Sequence, residues 1–229
     1  MKIIGRIVTD FPSKFGLPRQ SGLVEGITGK IVFEEEFRVP EAFRGLEEFS
    51  HIWILWQFSE AVRDGWSPTV RPPKLGGNKR VGVFATRSPF RPNSIGLSSV
   101  KLERIEYSDT EGPVIYVSGC DLMDGTPIYD IKPYLPYTDS HPDASGGFTD
   151  NLADSSLEVV ISEELLSIIP EDKRSTLISV LSQDPRPSYQ HDADRVYGFG
   201  FAGFEIRFTV SSGVLTVVSA EKIKLFNAV

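Results

Sequence analysis

With 229 residues, 40% of them hydrophobic and 24% charged, the chain is excluded from the disordered class and has material for one main domain plus a small appendage. No apolar run reaches membrane-spanning length and the first residues lack the apolar stretch of a secretion signal; one cysteine, Cys120, excludes an internal disulfide, and histidines at 51, 141 and 191 give no zinc spacing. A cytoplasmic protein without metal is therefore expected, and its net charge of −7 excludes a generally basic surface.

In chain order, Ile3, Ile4, Ile7 and Val8 predict a first strand, followed by a Pro/Gly/Ser loop from Asp10 to Gly22. Gly29 to Phe33 predicts a second strand, and Pro40 opens a short helix over Glu41-Ala42-Phe43-Arg44 that Gly45 stops. The apolar run Ile52-Trp53-Ile54-Leu55-Trp56 predicts a central strand buried on both faces, with His51 at its head as a satisfied core histidine. Strands at Val81 to Ala85, Ser98 to Tyr107 and Val114 to Gly119, parted by turns, give the first part of the chain a mainly β character typical of sheets and barrels.

Polar composition from Thr138 to Ser156 marks a boundary or long loop. Beyond it, Glu158 to Ile161 predicts a strand. Ser162 caps a helix with Glu163 and Glu164 in its first turn, and Pro170 opens another with Leu177, Ile178 and Leu181 on one face. Phe204 to Val210 alternates strictly, and Ser211-Ser212-Gly213 turns it into Leu215 to Ile223 as a hairpin.

The acidic average hides a basic segment. From Arg71 to Arg104 the chain carries Arg71, Lys74, Lys79, Arg80, Arg87, Arg91, Lys101 and Arg104 against Glu103 alone, a balance of +7 that leaves −14 for the remainder. Such segregation suits a local anionic partner, most naturally RNA, and equally a solvated face. Within it, Thr86-Arg87-Ser88-Pro89-Phe90-Arg91-Pro92-Asn93-Ser94-Ile95-Gly96-Leu97-Ser98 reads as a rigid loop presenting two guanidinium forks to phosphate or carboxylate, or as a connection whose arginines pair with nearby acids. Asp121-Leu122-Met123-Asp124-Gly125-Thr126-Pro127 reads as a ligand-accepting loop or as an ordinary Asx-type turn. Asp184-Pro185-Arg186-Pro187-Ser188-Tyr189 reads as a phosphate-contacting and base-stacking turn or a purely structural one. Cys120, with no histidine base placed by the sequence, reads as an inert buried thiol. The stiff, basic loop from Gly65 to Gly77 has neither the lysine-serine ending of a P-loop nor a GxGxxG before a helix, which disfavours a nucleotide site of those kinds there.

Taken in order, Phe49-Ser50-His51-Ile52-Trp53-Ile54-Leu55, Arg71-Pro72-Pro73, Gly82-Val83-Phe84-Ala85-Thr86-Arg87-Ser88-Pro89-Phe90-Arg91-Pro92-Asn93, Asp124-Gly125-Thr126-Pro127, Asp130-Ile131-Lys132-Pro133-Tyr134 and Gln183-Asp184-Pro185-Arg186-Pro187 resemble the TsaA-like (TrmO-type) family. Its members are S-adenosylmethionine-dependent tRNA (adenine-N6) methyltransferases acting on threonylcarbamoyladenosine beside the anticodon. The likeness covers nearly the whole chain. It implies a compact N-terminal β-barrel over 1–140, distinct from the Rossmann-like methyltransferases, a linker over 141–156, and a small α+β domain over 157–229 that assists tRNA binding. It also implies a homodimer with the cofactor near the subunit interface.

Carried over by resemblance, the S-adenosylmethionine contacts fall on Ser21, Gly22, Leu23, Ser59, Glu60, Arg87, Leu97, Asp121, Leu122, Asp124, Gly125 and Thr126. The tRNA contacts expected are Arg71, Lys74, Lys79, Arg91, Arg186 and Tyr189. The chemistry assigns Arg87 or Arg91 to the threonyl carboxylate or a phosphate, and Asp124 or Asp121 to accepting the N6 proton. The chain departs from the family pattern at Ser94, often a second proline, at Ser59, often a histidine, and at Tyr129, often aliphatic. Two other readings stand beside this one: a binding module without catalysis, and a weaker one, hydrolysis of a phosphorylated small molecule.

Overall fold

The computed structural model describes residues 1–72, 75, 79–150, 156–186 and 192–223. Along the first 140 residues run β1 (Gly5–Thr9), β2 (Thr28–Phe33), β3 (His51–Gln57), a ribbon of β4 (Thr69–Val70) with β5 (Val81–Gly82), β6 (Ile95–Ser108), β7 (Gly112–Ser118), β8 (Pro127–Pro133) and the one-turn α1 (Pro136–Asp139). Six of these strands close an antiparallel barrel in the order β1-β2-β7-β6-β3-β8. Alternation explains the closure: Ile7, Ile31, Ile52, Ile54, Val100, Ile115, Val117 and Ile128 point inward, none more than 1% exposed. Gly96 on β6 belongs to the same interior, because a Cβ there would stand 2.2 Å from the Trp56 ring.

The mainly β expectation and the barrel hold; several local expectations do not. Ile52 to Trp56 is not buried on both faces: Ile52, Ile54 and Trp56 are buried, while Trp53 and Leu55 on the outer face are half-buried. An outward tryptophan keeps the run apolar because Trp53 packs at 5.6 Å from Tyr134 and its Nε1 donates to Asp139 Oδ2 at 2.8 Å. His51 is exposed, its Nδ1 3.0 Å from Ser50 Oγ, and is no core histidine. The segment from Val81 leaves the extended state after Gly82, since Val83 N donates to Pro68 O at 2.9 Å and Thr86 closes a 3-10 turn, Val83–Ala85, onto Val83 O through its N at 3.1 Å and its Oγ1 at 2.8 Å. The helix at Pro40 is likewise a 3-10 turn, Pro40–Phe43.

The later residues form β9 (Glu158–Val160), α2 (Glu163–Ile168), α3 (Glu171–Ser182), β10 (Tyr197–Phe201), β11 (Phe204–Ser211) and β12 (Val214–Lys222), with sheet order β10-β11-β12-β9. Ser162 Oγ accepts from Leu165 N at 3.3 Å, as a cap should. α3 buries Thr176, Leu177, Val180 and Leu181, whereas Ile178, 36% exposed, falls off that face. The hairpin turn places Ser212 and Gly213 at φ of 51° and 83°, the primed geometry that matches strand twist.

One apolar core runs through barrel and sheet. Its seam is the loop after β1. Phe11, fully buried, meets Phe201 edge-on at 5.3 Å, and Phe15 meets Phe199 at 6.4 Å. Gly16, at φ of 88°, lies where a Cβ would strike the Phe199 ring. Lys173 Nζ on α3 reaches Asp10 Oδ2 at 2.6 Å, and Ala202 N donates to Asp10 O at 2.9 Å.

Candidate active site

The loop from Asp10 to Gly22, clamped from below by the C-terminal sheet, gathers three further segments on its other side. Gly22 N donates to Gly119 O at 2.8 Å, which sets Ser21 to Leu23 against the residues that lead into Asp121. Gln20 Oε1 accepts from Arg87 Nη1, drawing in the 86–94 loop, shorter than expected because Ile95 to Ser98 already belong to β6. Lys14 Nζ, 3.9 Å from Glu60 Oε2, ties in the 3-10 turn Ser59–Ala61 after β3. Phe58 N also donates to Ser94 O at 2.9 Å, fixing that turn against the end of the 86–94 loop. Ser21, Gly22, Leu23, Glu60, Arg87 and Asp121 thus converge, whereas Ser59 is placed only by its neighbours.

At the centre is a hydrogen-bonded chain. Trp56 Nε1 donates to Ser98 Oγ at 3.0 Å, and Ser98 Oγ donates to Asp121 Oδ1 at 2.6 Å. Burial pushes the Asp121 carboxyl above its ordinary value; the Ser98 hydrogen bond, the Ser21 backbone and the Arg87 charge oppose that shift without cancelling it. Leu97, next to Ser98 along β6, is 54% exposed.

Asp124 has different surroundings. Its Oδ1 accepts from Thr9 N at 3.0 Å, while Asp124 N and Gly125 N donate to Phe11 O and Ile7 O, each at 2.8 Å. Thr126 is buried, its Oγ1 donating to Met123 O at 2.6 Å, and Leu122 is 1% exposed. The 121–126 segment is therefore no Asx-type turn: Thr126 N closes it onto Met123 O at 3.2 Å, Asp124 reaches across the chain to hold the Thr9 backbone, and Asp121 is set against the gathered loops.

The arginines divide similarly. Arg87 is exposed beside Gln20. Arg91 Nη1 instead donates to Thr86 O at 2.6 Å and Val83 O at 3.2 Å, bracing its own loop from within. Arg71 and Lys79 are exposed next to the β4–β5 ribbon; Lys74 lies outside the described residues. Arg186 directs Nε and Nη2 at Asp184 Oδ1 and Oδ2, 2.8 and 2.9 Å, with its side chain 11% exposed, so its fork closes the turn instead of offering itself to phosphate. Tyr189 lies outside the described residues. Tyr129 is half-buried on β8.

Cys120 is buried and its thiol is pushed up to about 12, chiefly by burial, which leaves it unreactive at neutral pH. Sequence reasoning did not reach Gln20, Ser98 and Trp56 as site residues. For Ser98 a signal existed: a hydroxyl on the inward face of a strand needs a buried partner.

A closed antiparallel barrel that gathers carboxylate, arginine and glycine on its loops, with no glycine-rich strand–helix turn among the described residues, is a class apart from the doubly wound nucleotide folds. Residues 6–140 match the family described as tRNA-methyltransferase O N-terminal domain, and residues 154–223 match the TrmO C-terminal domain, so the chain belongs to the TrmO family. The tRNA (adenine(37)-N6)-methyltransferase of Escherichia coli K12 is 40% identical over 226 residues, 95% of this chain and 96% of its own. A Pseudomonas aeruginosa relative named for S-adenosylmethionine-dependent methyl transfer is 41% identical over 203 residues, 85% of each chain. The crystal structure of TrmO from Pseudomonas aeruginosa superposes with a TM-score of 0.75 at 33% identity, across 95% of this chain and 96% of that one.

Proposed function

We propose that this protein is an S-adenosylmethionine-dependent tRNA methyltransferase that places a methyl group on N6 of threonylcarbamoyladenosine at tRNA position 37. What carries the reading is the Asp121 carboxylate and the Arg87 guanidinium, brought from separate segments against the Asp10–Gly22 loop in a chain of this family. The residues present fit the cofactor. Gly22 and Gly125, at φ of 77° and 73°, leave open space where a Cβ would stand, Leu23 and Leu97 offer exposed apolar surface, and Asp121 offers an acceptor. When bound, S-adenosylmethionine supplies an electrophilic methyl carbon.

The chain's own work is then positioning and proton management, since in-line displacement demands collinear approach of the attacking nitrogen. A threonylcarbamoyl group makes N6–H urea-like and more acidic than in plain adenosine. Asp121 accepts that proton, its basicity strengthened by burial and its carboxylate oriented by Ser98, which Trp56 orients in turn. Arg87, steadied by Gln20, supplies positive charge for a carboxylate at the site. Arg71 and Lys79 hold tRNA phosphates, and Arg91 braces the loop that carries Arg87.

The proposal includes the division into a catalytic barrel over 1–140 and a C-terminal domain over 157–229 that assists tRNA binding, a homodimer in solution, and a cytoplasmic site of action. Among the described residues no helix is long and apolar enough to cross a membrane. Incubation with isotopically labelled S-adenosylmethionine and a full tRNA pool, followed by nucleoside mass spectrometry, is expected to show labelled N6-methyl-threonylcarbamoyladenosine. No labelled modified adenosine in any tRNA would refute the proposal, and light scattering at the monomer mass would refute the dimer.

A further inference from the structure

Beside the cofactor loops, the segment from Val62 to Arg91 exposes rings that folded chains ordinarily bury. Trp66 is 50% exposed, Phe84 71% and Phe90 43%. Trp66 and Phe84 lie side by side, centroids 5.9 Å apart and planes at 31°, and the Arg63 guanidinium stands 3.8 Å over the Phe90 ring. These rings rest on a braced frame. The β4–β5 pairing, the Val83 N to Pro68 O bond and the two carbonyl bonds from Arg91 fix the backbone on which they stand.

The charge around them is one-sided. Asp64 is the one acidic residue between Val62 and Arg91, and Arg63, Arg71, Lys79, Arg80 and Arg87 are all exposed. Protein–protein contacts also enrich aromatic rings and arginine, though they deplete lysine, but five exposed cations against one acid call for an anionic partner. Flat rings interspersed with cations are instead what an unpaired nucleic acid takes: bases stack on the rings, and phosphates meet the cations.

We propose that Trp66 and Phe84 form a stacking platform for an unpaired base of the RNA substrate, flanked by phosphate contacts from Arg63, Arg71 and Lys79. The inference rests on the tRNA methyltransferase reading and deepens it. Recognition begins with single-stranded loop bases and not with the paired stem, because only an unpaired base can offer its face to the platform.

The test uses the full chain with Trp66→Ala, Phe84→Ala and Trp66→Phe, each confirmed to melt like wild type and to bind S-adenosylmethionine normally. Affinity for an anticodon stem-loop RNA is expected to fall about 10-fold in each alanine variant and to be largely restored in Trp66→Phe. Stacking is not a counterion effect, so the loss should persist at high salt, where the loss from Arg71→Ala fades. Tryptophan fluorescence should be quenched by the RNA in wild type and much less in Trp66→Phe. Unchanged RNA affinity in both alanine variants, with wild type still methylating tRNA, overturns the platform alone. A changed oligomeric mass with RNA affinity intact also overturns it, in favour of a protein contact. Wild type transferring no methyl to any tRNA overturns the reading beneath it.

Discussion

The loop from Asp10 to Gly22 and the segment from Val62 to Arg91 look alike in sequence, both interrupted by Gly and Pro and both carrying basic residues. In the fold they are opposites. The first buries Phe11 completely beneath Phe201, pairs Asp10 with Lys173 from 163 positions away, and sets Gly16 beneath Phe199. The second leaves Trp66 and Phe84 half or more exposed on a ribbon of two-residue strands. The first therefore resists displacement and can hold a small ligand to the tolerance that chemistry needs, while the second is open to a large partner at the surface.

Breaking the clamp should have the largest effect. Phe11→Ala is expected to cost about 3–5 kcal/mol of stability and to abolish cofactor binding, since it empties a fully buried ring site at the seam. Chemical denaturation together with calorimetric titration of S-adenosylmethionine measures both.

Next comes Asp121→Asn. Its carboxyl is raised in the fold, so the folded chain holds that proton more readily than the unfolded one. The ionised carboxylate thus opposes folding above the ordinary carboxylate range, and that penalty fades as pH falls through the raised value. The variant should keep or raise its melting temperature at neutral pH while its single-turnover rate falls about 100-fold or more. Lys173→Ala, which leaves Asp10 unpaired at 22% side-chain exposure, should cost about 1–2 kcal/mol in denaturant unfolding. Ser98→Ala is the gentlest. It removes a bond that favours ionised Asp121, so the acidic limb of the rate–pH profile should move to higher pH.

How far the fold could be read depended on whether a residue's role is local. The barrel strands with alternating isoleucines were legible, as were the Ser162 cap and the Ser212-Gly213 turn, because period and capping are written within a few residues. β8 is bracketed by Pro127 and Pro133, and β10 is broken by Gly198 and Gly200, so neither looks like a strand in isolation. Gly200 is required by tertiary contact, since a Cβ there would lie 2.6 Å from Pro12. The same distinction governs the site. Arg87 and Arg91 stand four apart in one motif, and only the fold turns one toward Gln20 and the other onto its own carbonyls. Arg186 looked like a phosphate contact until Asp184 met it. Asp121 was named from the resemblance, but Ser98 and Trp56, which orient it, come from two other strands.

The division of the basic surface into a cofactor side and an RNA side is tested most directly by titrating both ligands against two variants, Arg87→Ala and the pair Arg71→Ala with Lys79→Ala. Arg87→Ala should weaken S-adenosylmethionine and leave the salt dependence of tRNA binding as in wild type. The Arg71/Lys79 pair should leave S-adenosylmethionine untouched and reduce the logarithmic salt slope by about 1–2. If both variants weaken both ligands to the same extent, the surface is one undivided site and the account is contradicted.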